Sequence, residues 1–345
     1  MTNSFDANVL AAKFGEQFEA HVSLARYTSA RIGGLADGLL TANSVADLDL
    51  MARFLWEQEI PFIVLGGGSN VLVSDAGMRG LVLLNKARQV VFKQENDPPT
   101  VQAASGSNFG VIARQAAKRG LSGLEWASGI PGTIGGAIVG NAGAHGGDIA
   151  GNLLMAEILH REMEDKRSKN GNPPSMVVRR EEWQAEKFDF AYRSSLIKRE
   201  QYGTKRIGGT DQMGRSDKKQ PDFIILTALL RLAHSTKEVV EARIEKFVSQ
   251  RQQTQPPGAS MGSMFKNPEG DFAGRLIDQA GLKGTRIGDA AISSLHANFF
   301  INYGNASARD VWELINLART VVSNKFGIDL ELEIELVGSW EAELN

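Results

Sequence analysis

Residues 129–148 read GIPGTIGGAIVGNAGAHGGD, a stretch that is rich in glycine. Eight of its twenty residues are glycine. Because glycine loses the most conformational freedom on folding, this density is expected only where the backbone turns through positive φ or another group approaches it closely. Ile130, Ile134 and Ile138 recur between the glycines, which indicates a packed loop rather than a flexible linker. A packed loop with exposed amides suits a phosphate or a flat ring system.

The two common nucleotide-binding fingerprints are absent from the chain. Neither G-x-G-x-x-G nor G-x-x-x-x-G-K-[ST] occurs in its 345 residues. A nucleotide held by residues 129–148 would therefore be bound by something other than a Rossmann or P-loop fold.

A second glycine loop lies upstream, in residues 61–73, which read PFIVLGGGSNVLV. An apolar run on each side of residues 66–70 predicts a strand, a tight loop and a second strand. A strand after the loop would leave a phosphate to the loop amides and to the side chains of Ser69 and Asn70, without a helix dipole behind them. A plain hairpin turn explains the same residues, since Gly, Ser and Asn all favour turns.

The composition excludes several classes of function. Apolar residues make up 42% of the chain, charged residues 23%, and the net charge is −2. This is typical of a globular protein of two or three structural units, without the charge of a nucleic-acid or membrane binder. There is no cysteine and the five histidines are scattered, so no disulfide, thiolate nucleophile or metal site is expected. We also expect no secretory signal and no membrane span, which fits a cytoplasmic protein.

The pattern of apolar residues divides the chain near residue 233. Both glycine loops precede this point, together with a helix predicted over residues 109–118 and the strand-like run FIILTALLRLA that ends at residue 233. Two charged segments, residues 161–181 and 198–222, are typical of solvated surface loops.

The part after residue 233 has the pattern of an α+β unit. One amphipathic helix opens with Ser235 and Glu238 at capping-box spacing, and a second opens at Ser307. A short helix is predicted over residues 272–280, followed by the strand-like HANFFIN. The final run IDLELEIEL, residues 328–336, alternates perfectly and predicts a strand with one acidic face.

Three places carry side chains suited to catalysis, and each has an ordinary alternative. Ser263 lies in the glycine-flanked GSMFKNP, where a turn with a capping serine explains the sequence equally well. Arg193 follows the apolar FDFA, and a partly buried guanidinium needs an anion, either a core carboxylate or a substrate carboxylate. The acidic face of residues 328–336 is usually the wet side of a strand, and the pattern alone makes none of its carboxylates catalytic.

Taken together, these segments resemble the UDP-N-acetylenolpyruvoylglucosamine reductases, the MurB family of bacterial cell-wall synthesis. The resemblance extends from about residue 26 to residue 338, and the order and spacing of its blocks argue against coincidence. The blocks are ARIGG (30–34), VLGGGSNVLVSDAGMRG (64–80), GLSGLEWASGIPGTIGGAIVGNAGAHGGD (120–148), YRSS (192–195), RQQTQPPGASMGSMFKNP (251–268), AGRLIDQAGLKGTRIGDAAISSLHANFFIN (273–302) and the closing LELEIELVG.

The resemblance implies an α+β fold and a flavin-dependent reaction. A lead segment (1–29) would precede an FAD-binding module of the vanillyl-alcohol-oxidase type (30–233) and a smaller substrate-binding domain (234–345). NADPH would reduce non-covalently bound FAD and leave, and UDP-N-acetylglucosamine enolpyruvate would bind. Hydride would then pass from the flavin to C3 and a proton to C2, giving UDP-N-acetylmuramate for peptidoglycan. The implied partners are these small molecules; neither nucleic acid nor a membrane is expected.

The resemblance also assigns roles to single residues. Ser263 matches the family's proton donor to C2, Arg193 the residue that holds the substrate carboxylate, and Glu333 the glutamate that assists protonation. FAD is expected along the two glycine loops, at Gly66, Gly67, Gly68, Ser69, Asn70, Gly129, Gly132, Thr133, Gly135, Gly136, Asn141 and Gly143. The nucleotide and diphosphate of the substrate are expected at Tyr192, Arg251, Lys266 and Asn267.

The chain departs from the family pattern in two places. Leu332 stands where the family commonly has proline between two glutamates, so a two-residue misalignment would put Glu331 in the place of Glu333. Residues 198–222 lie where one branch carries a substrate-closing tyrosine loop. They include Tyr202 but match no pattern of that loop, and a plain surface insertion is favoured.

Two other functions are compatible with the same fold. One is an FAD oxidase that gives its electrons to oxygen, and the other is a catalytically silent UDP-sugar-binding protein. The GSMFKNP block and the closing glutamates argue against the oxidase. The presence of all three candidate catalytic residues argues against the silent binder.

Overall fold

The computed structural model describes residues 5–164, 175–202, 205–207, 210–212 and 220–340. The helices are α1 (Ala7–Phe14), α2 (Val45–Glu57), α3 (Phe109–Ala117), α4 (Ile134–Val139), α5 (Ile149–Asn152), α6 (Leu196–Tyr202), α7 (Lys237–Thr254), α8 (Ala273–Gln279) and α9 (Ala308–Phe326). None of the helices in these ranges is long and apolar enough to cross a bilayer.

The strands fall into several sheets and short two-stranded pairs. They are β1 (Phe18–Ser23), β2 (Leu35–Ala42), β3 (Phe62–Leu65), β4 (Val71–Val73), β5 (Met78–Asn85), β6 (Val90–Lys93), β7 (Thr100–Ala104), β8 (Leu121–Ser122), β9 (Gly143–Ala144), β10 (Gly147–Asp148), β11 (Leu153–Glu164), β12 (Ser175–Gln184), β13 (Lys205–Ile207), β14 (Thr210–Gln212), β15 (Phe223–Arg231), β16 (Ala233–His234), β17 (Ala259–Ser263), β18 (Arg286–Ile287), β19 (Ala290–Ile292), β20 (Phe299–Asn302) and β21 (Glu335–Val337).

The first sheet has four strands in the order β1-β2-β5-β3, and β5 runs parallel to both of its neighbours. Helix α2 begins with a capping box between Ser44 and Asp47, and it buries Leu48, Met51 and Leu55 in the core beside the sheet. Because β3 is the last strand in this order, the glycine loop that follows it leaves the first sheet at its edge.

The second sheet has five antiparallel strands in the order β12-β11-β15-β7-β6. Strands β11 and β12 include residues 161–164 and 175–181, so the prediction of a solvated loop is wrong there; residues 165–174 lie outside the described residues. Met176 and Val178 pack against the core beside α2, and a strand accommodates charged side chains on its opposite face.

Part of the charged segment 198–222 is also regular structure. Helix α6 covers its first residues, and β13 and β14 form a short antiparallel pair. The prediction of a plain loop is wrong at these positions, because Ser195 caps α6 by accepting a hydrogen bond from the Lys198 N–H at 3.2 Å. The Tyr202 side chain lies outside the described residues, so its predicted place in a surface insertion stays a prediction.

The C-terminal part is built on the sheet β17-β20-β19-β18, against which α9 packs. Helix α9 begins with a capping box between Ser307 and Asp310 and ends at Gly327, whose φ is +69°, as the sequence predicts. Helix α7 starts one residue later than predicted. Thr236 rather than Ser235 caps it, because the Thr236 hydroxyl accepts a hydrogen bond from the first turn.

The final residues 328–336 do not form the single strand that their alternation predicts. Strand β21 covers Glu335–Val337 and pairs in parallel with β4, whereas Leu332 forms an isolated antiparallel bridge with Phe265. The segment is extended, but it changes partner halfway along. The alternation reports the buried and exposed faces, not the identity of the neighbouring strands.

The predicted domain boundary near residue 233 lies between β15 and α7, and it stays a prediction. Contacts cross it. The Asp75 carboxylate, which follows β4, accepts hydrogen bonds from the N–H groups of Ala308 at 2.8 Å and Arg309 at 3.0 Å. An acidic side chain from the N-terminal part therefore satisfies the start of α9.

Candidate active site

The two glycine segments lie against each other, and the upstream loop is not a hairpin. Strand β3 belongs to the four-stranded sheet and β4 pairs with β21, so residues 66–70 cross from one sheet to another. A Cβ atom at Gly66 would lie 2.4 Å from Thr133 Oγ1, and one at Gly67 would lie 3.0 Å from Gly132 Cα. A side chain at Gly66 would meet the Thr133 side chain, and one at Gly67 would meet the Gly132 backbone, so glycine suits both positions.

Polar contacts fix the same junction. The Ser69 hydroxyl donates to the Pro131 carbonyl at 3.2 Å. Thr133 caps α4, accepting from the Gly136 N–H at 3.4 Å. The centre of residues 129–148 is thus a short helix, α4, rather than the continuous loop that its glycine content predicts. The predicted cofactor positions Gly129, Gly132, Gly135 and Gly143 lie before, within and after this helix.

A cavity of about 290 Å³ opens at this junction. Gly66, Gly67 and Gly132 contribute backbone to its wall, and its lining includes three cationic residues, Arg26, Lys86 and Arg88. Glycine backbone beside cationic side chains favours a ligand that carries phosphate groups. The residues present therefore fit the FAD that the resemblance implies.

Asn141 joins the glycine segment to the arginine turn. Its Nδ2 donates to the Ala191 carbonyl at 3.0 Å, and its Oδ1 accepts from the Ala150 N–H at 3.1 Å. Both ends of the side chain are therefore used inside the protein. The predicted contact between Asn141 and the cofactor stays a prediction.

Arg193 lies in a tight turn of strained backbone. Ala191 and Ser194 exchange both of their backbone hydrogen bonds, at 3.0 and 3.1 Å, which leaves Tyr192 and Arg193 as the two turn residues. Arg193 has φ of +55°, in the region that favours glycine. Such strain persists only where the surroundings enforce it, and it is often found at functional sites. Tyr192 remains 55% exposed beside the guanidinium.

Glu333 is held at the point where three segments meet. Its N–H donates to the Met264 carbonyl at 2.9 Å, and its carbonyl accepts from the Asn70 side chain at 3.0 Å. Its carboxylate Oε1 lies 2.6 Å from Arg193 Nε. The contact is an ion pair between the guanidinium and the carboxylate. The anion that the partly buried arginine requires is therefore a carboxylate of the final segment.

The protonation of Glu333 is set by opposing effects. Burial, the largest, raises the pKa of the Glu333 carboxyl, because a charge is costly away from water. The cations of Arg193, Lys198 and Lys266 act in the opposite direction without overcoming burial. Glu333 is thus more easily protonated than an exposed glutamate, although it lies beside an arginine.

Ser263 ends strand β17, immediately before Met264, the partner of Glu333. Gly262 precedes it with φ of +80°, and a Cβ atom there would have no neighbour within 4 Å. Among the described residues the Ser263 hydroxyl has no hydrogen-bond partner. The alternative of a capping serine is therefore not supported, and the hydroxyl belongs to the residue before Met264, the backbone partner of Glu333.

Two further carboxylates of the final segment are each paired with a lysine. Lys266 Nζ lies 3.0 Å from Glu331, and Lys198 Nζ lies 2.7 Å from Glu335 Oε1. The expected wet face is thus wrong for Glu335, which is buried. Glu331 remains an exposed partner of Lys266, and Glu333 is the member of the series that contacts Arg193.

The remaining predicted substrate residues lie at the edges of this region. Arg251, near the end of α7, packs on Gly129, where a Cβ atom would lie 3.3 Å from the Arg251 side chain. Burial lowers the pKa of this guanidinium. The described residues offer it no ion pair, so it is available to an anion. Asn267 Oδ1 accepts a hydrogen bond from the Ala273 N–H at 3.1 Å, at the start of α8.

Sequence reasoning missed three groups of this region. His145 stacks on Phe247 with ring centroids 4.3 Å apart, beside Arg251. Burial lowers the pKa of His145, and the nearby Arg251 cation adds to this effect. The other two groups are Lys198 and Glu335, for which the sequence predicts a solvated loop and a wet face. The two-residue spacing between Glu333 and Glu335 indicated that both lie on the same face of the segment, but it did not indicate that Glu335 is buried.

Comparison with known proteins gives consistent matches over almost the whole chain. A family model described as UDP-N-acetylenolpyruvoylglucosamine reductase, C-terminal domain, matches residues 252–337, and one described as FAD binding domain matches residues 36–160. The reductase of that name from Chloroflexus aggregans is 37% identical over 314 residues, 91% of this chain and 95% of the relative. The one from Rubrobacter xylanophilus is 38% identical over 330 residues, 95% of this chain and 96% of the relative.

A solved structure is similar over the same extent. The crystal structure of UDP-N-acetylenolpyruvylglucosamine reductase (MurB) from Thermus caldophilus superposes with a TM-score of 0.69 at 32% identity, covering 92% of this chain and 98% of that one. The predicted fold class, an α+β chain with an FAD-binding module followed by a smaller domain, is confirmed.

Proposed function

The chain belongs to the UDP-N-acetylenolpyruvoylglucosamine reductase family, and from that premise we propose how its own residues carry out the reaction. It is a flavin-dependent oxidoreductase of peptidoglycan synthesis, with FAD as cofactor and NADPH as hydride donor. Its substrate is UDP-N-acetylglucosamine enolpyruvate. The side chains that bind this substrate and move the proton are inferred from the geometry of the site.

The junction of the two glycine segments would hold the cofactor. The backbone of Gly66, Gly67 and Gly132, with Ser69 and Thr133 beside it, would bind the pyrophosphate. When bound there, FAD supplies two-electron hydride chemistry between NADPH and the enolpyruvyl group.

Arg193 holds the carboxylate of the enolpyruvyl group. Addition of hydride to C3 leaves an electron pair at C2 that spreads onto this carboxylate as an enolate. A guanidinium already fixed beside it stabilises the developing charge without reorganisation. The strained turn supports this role, because it presents the guanidinium 2.6 Å from Glu333 rather than to solvent.

Ser263 delivers the proton to C2. A hydroxyl is a weak acid in water, but an enolate is a strong base, and the cations of Arg193 and Lys266 act on Glu333 in the neighbouring segment. Glu333 assists from the neighbouring segment, where burial raises the pKa of its carboxyl and keeps a proton available to replace the one that Ser263 gives up. The atoms and electrons of the reduction balance, because one hydride at C3 and one proton at C2 saturate the double bond.

The sugar nucleotide lies on the side of Arg251 and Lys266. Arg251 has no ion pair with a described residue, which suits a diphosphate oxygen. Tyr192, which is exposed, and Asn267, which follows Lys266 in the sequence, would contribute hydrogen bonds. We place the reaction in the cytoplasm, with small molecules as its partners.

The observation that carries this proposal is the Arg193–Glu333 ion pair, together with the Ser263 hydroxyl that has no hydrogen bond and the close approach of the two glycine segments. An anaerobic absorbance record of the FAD-loaded protein tests it. NADPH should bleach the flavin band, and UDP-N-acetylglucosamine enolpyruvate should restore it without oxygen. Recovery only on admission of air would indicate an oxidase, and failure to bind FAD would indicate a binding protein; either would overturn the proposal.

A further inference from the structure

Three glutamates of the final segment form a ladder with three cations from distant parts of the chain. Glu331 pairs with Lys266, Glu333 with Arg193 and Glu335 with Lys198. The glutamate side chains are 43%, 16% and 10% exposed in that order, so the ladder runs from the surface into the protein. The innermost pair is the most shielded from solvent.

Lys198 and Glu335 form that innermost pair. Their side chains are 3% and 10% exposed, with Nζ 2.7 Å from Oε1. Neither carboxylate oxygen of Glu335 has a geometrically satisfactory hydrogen bond among the described residues. An ion pair so poor in hydrogen bonds is weak evidence for stability, because the desolvation of two charges offsets their attraction. Its retention needs another explanation.

The pair joins the two segments that carry the catalytic ion pair. Helix α6, with Lys198, begins at Leu196, three residues after Arg193. The Ser195 hydroxyl donates to the Val139 carbonyl at 2.7 Å, which fixes the start of α6 to the end of α4. Glu335 lies two residues after Glu333, in strand β21. The Lys198–Glu335 contact therefore links the far side of the arginine turn to the segment of Glu333.

We propose that Lys198 and Glu335 are positioning residues, which hold the Arg193 turn against the final segment and set the electrostatic field at the Glu333 carboxylate. Neither contacts the reacting atoms; they act through Arg193 and Glu333. This inference rests on the proposed function, since it requires Glu333 to take part in protonation.

The field at Glu333 comes from every element packed around it. Arg193 faces it from the turn, Lys266 from the segment after β17 and Lys198 from α6, and all three oppose the rise that burial causes in the Glu333 pKa. Glu331 and Glu335 flank it on its own segment with negative charge. Because the inner pair carries opposite charges, removing either partner alone should change the field in opposite senses.

The pH dependence of the substrate half-reaction tests the inference. The rate of a single turnover is measured as a function of pH. The part of this pH–rate profile that disappears in Glu333→Gln is the limb that follows the protonation of Glu333. Lys198→Met should move the pKa of that limb upward by about one pH unit, because a cation is lost. Glu335→Gln should move it downward, because Lys198 is left uncompensated. A structural role alone would not shift the limb in opposite directions.

Two further variants keep the test informative if a single variant folds poorly. Lys198→Met/Glu335→Gln contains no unpaired buried charge, and its limb should lie between those of the single variants. Its maximal rate should fall about tenfold from loosened positioning, as a change of that size is about 1.4 kcal/mol in barrier. Lys198→Arg should restore the rate and the profile, since it keeps the charge.

Controls separate the inference from folding and from the proposed function. Lys283→Met breaks a surface ion pair of similar length, 2.6 Å, and should leave the profile unchanged. Flavin reduction by NADPH should remain normal in every variant. No shift, or shifts in the same direction, would overturn the inference alone. A wild-type profile with no limb that Glu333→Gln removes would overturn the role of Glu333 and the inference with it.

Discussion

Arg193 shows how one residue meets conflicting demands. Its φ of +55° costs about 1 kcal/mol for a residue other than glycine. Its guanidinium lies 2.6 Å from the largely buried carboxylate of Glu333, whose side chain is 16% exposed. The turn is held by the Asn141 side chain and by the cap of α6 at Ser195. The backbone strain is thus offset by its surroundings, and the side chain is fixed before a substrate arrives.

A comparison of Arg193→Ala with Arg193→Gly separates strain from chemistry. Both variants should slow the substrate half-reaction by about 10²–10³-fold, since each removes the same electrostatic stabilisation. Flavin reduction by NADPH should persist. Because glycine accepts the left-handed conformation, Arg193→Gly should be more stable than Arg193→Ala by about 1 kcal/mol in denaturant unfolding.

The surface variant Arg309→Ala is the control, because its ion pair with Glu313 is exposed. A normal substrate half-reaction in Arg193→Ala would remove Arg193 from the site. Equal stability of the alanine and glycine variants would contradict the strain, whatever the rates.

At the scale of elements, the cofactor site depends on how closely two loops approach. Residues 66–70 and the start of α4 come together at glycines, and Thr133 lies directly opposite Gly66. Gly66, which has no side chain, contacts Thr133, which caps α4, so there is little room for added atoms between them. Cofactor affinity should therefore respond to a single methyl group.

Gly66→Ala should weaken FAD binding by about tenfold or more, because its Cβ atom would lie 2.4 Å from Thr133 Oγ1 and force the loops apart. The release of FAD, followed by the rise of flavin fluorescence on dilution, measures this directly. Gly66→Ala/Thr133→Ala removes the clashing hydroxyl and should recover part of the affinity.

Gly151→Ala is the matched control, because a Cβ atom there would make ordinary contact, 3.5 Å from the Asp148 side chain. Unchanged FAD retention in Gly66→Ala would show that the loops adapt to a methyl group. That result would contradict the importance of the close approach for cofactor binding.

Elements whose signals are local were predictable from the sequence. Helix α9 carries a capping box at Ser307 and a left-handed glycine at its end, and both are satisfied by residues within the helix. The helix over residues 109–118, α8, β15 and β20 were also predicted. Capping motifs and apolar periodicity suffice to predict such elements, because the signal lies within the element itself.

Elements that depend on distant partners were not predictable in this way. The loop 66–70 has the composition of a hairpin turn, yet its flanking strands pair with β5 and with β21. The final segment alternates like one strand but divides between two neighbours. The buried Glu335 is paired with Lys198, which lies 137 positions away in the chain, so no local pattern indicates its burial. The roles of Arg193, Ser263 and Glu333 came from resemblance, because their residue types alone left ordinary alternatives open.

At the scale of the whole molecule, the site is assembled from five segments that are remote in sequence. The glycine loop 66–70, the region of α4, the arginine turn, the end of β17 and the final segment contact one another in turn. The proposed cofactor residues lie on the glycine loop and around α4, whereas the proposed proton-transfer residues lie on the arginine turn, on β17 and on the final segment. The two half-reactions should therefore respond to different substitutions.

Single-turnover kinetics of Ser263→Ala test whether Ser263 delivers the proton to C2. The FAD-loaded variant and the exposed-serine control Ser294→Ala would each be treated anaerobically with NADPH and then with UDP-N-acetylglucosamine enolpyruvate. We expect both to bleach at the wild-type rate, and only Ser263→Ala to recover its flavin absorbance about 10²–10⁴-fold more slowly, the loss typical of a missing general acid. Recovery of Ser263→Ala at the wild-type rate would contradict the assignment of Ser263 as the proton donor.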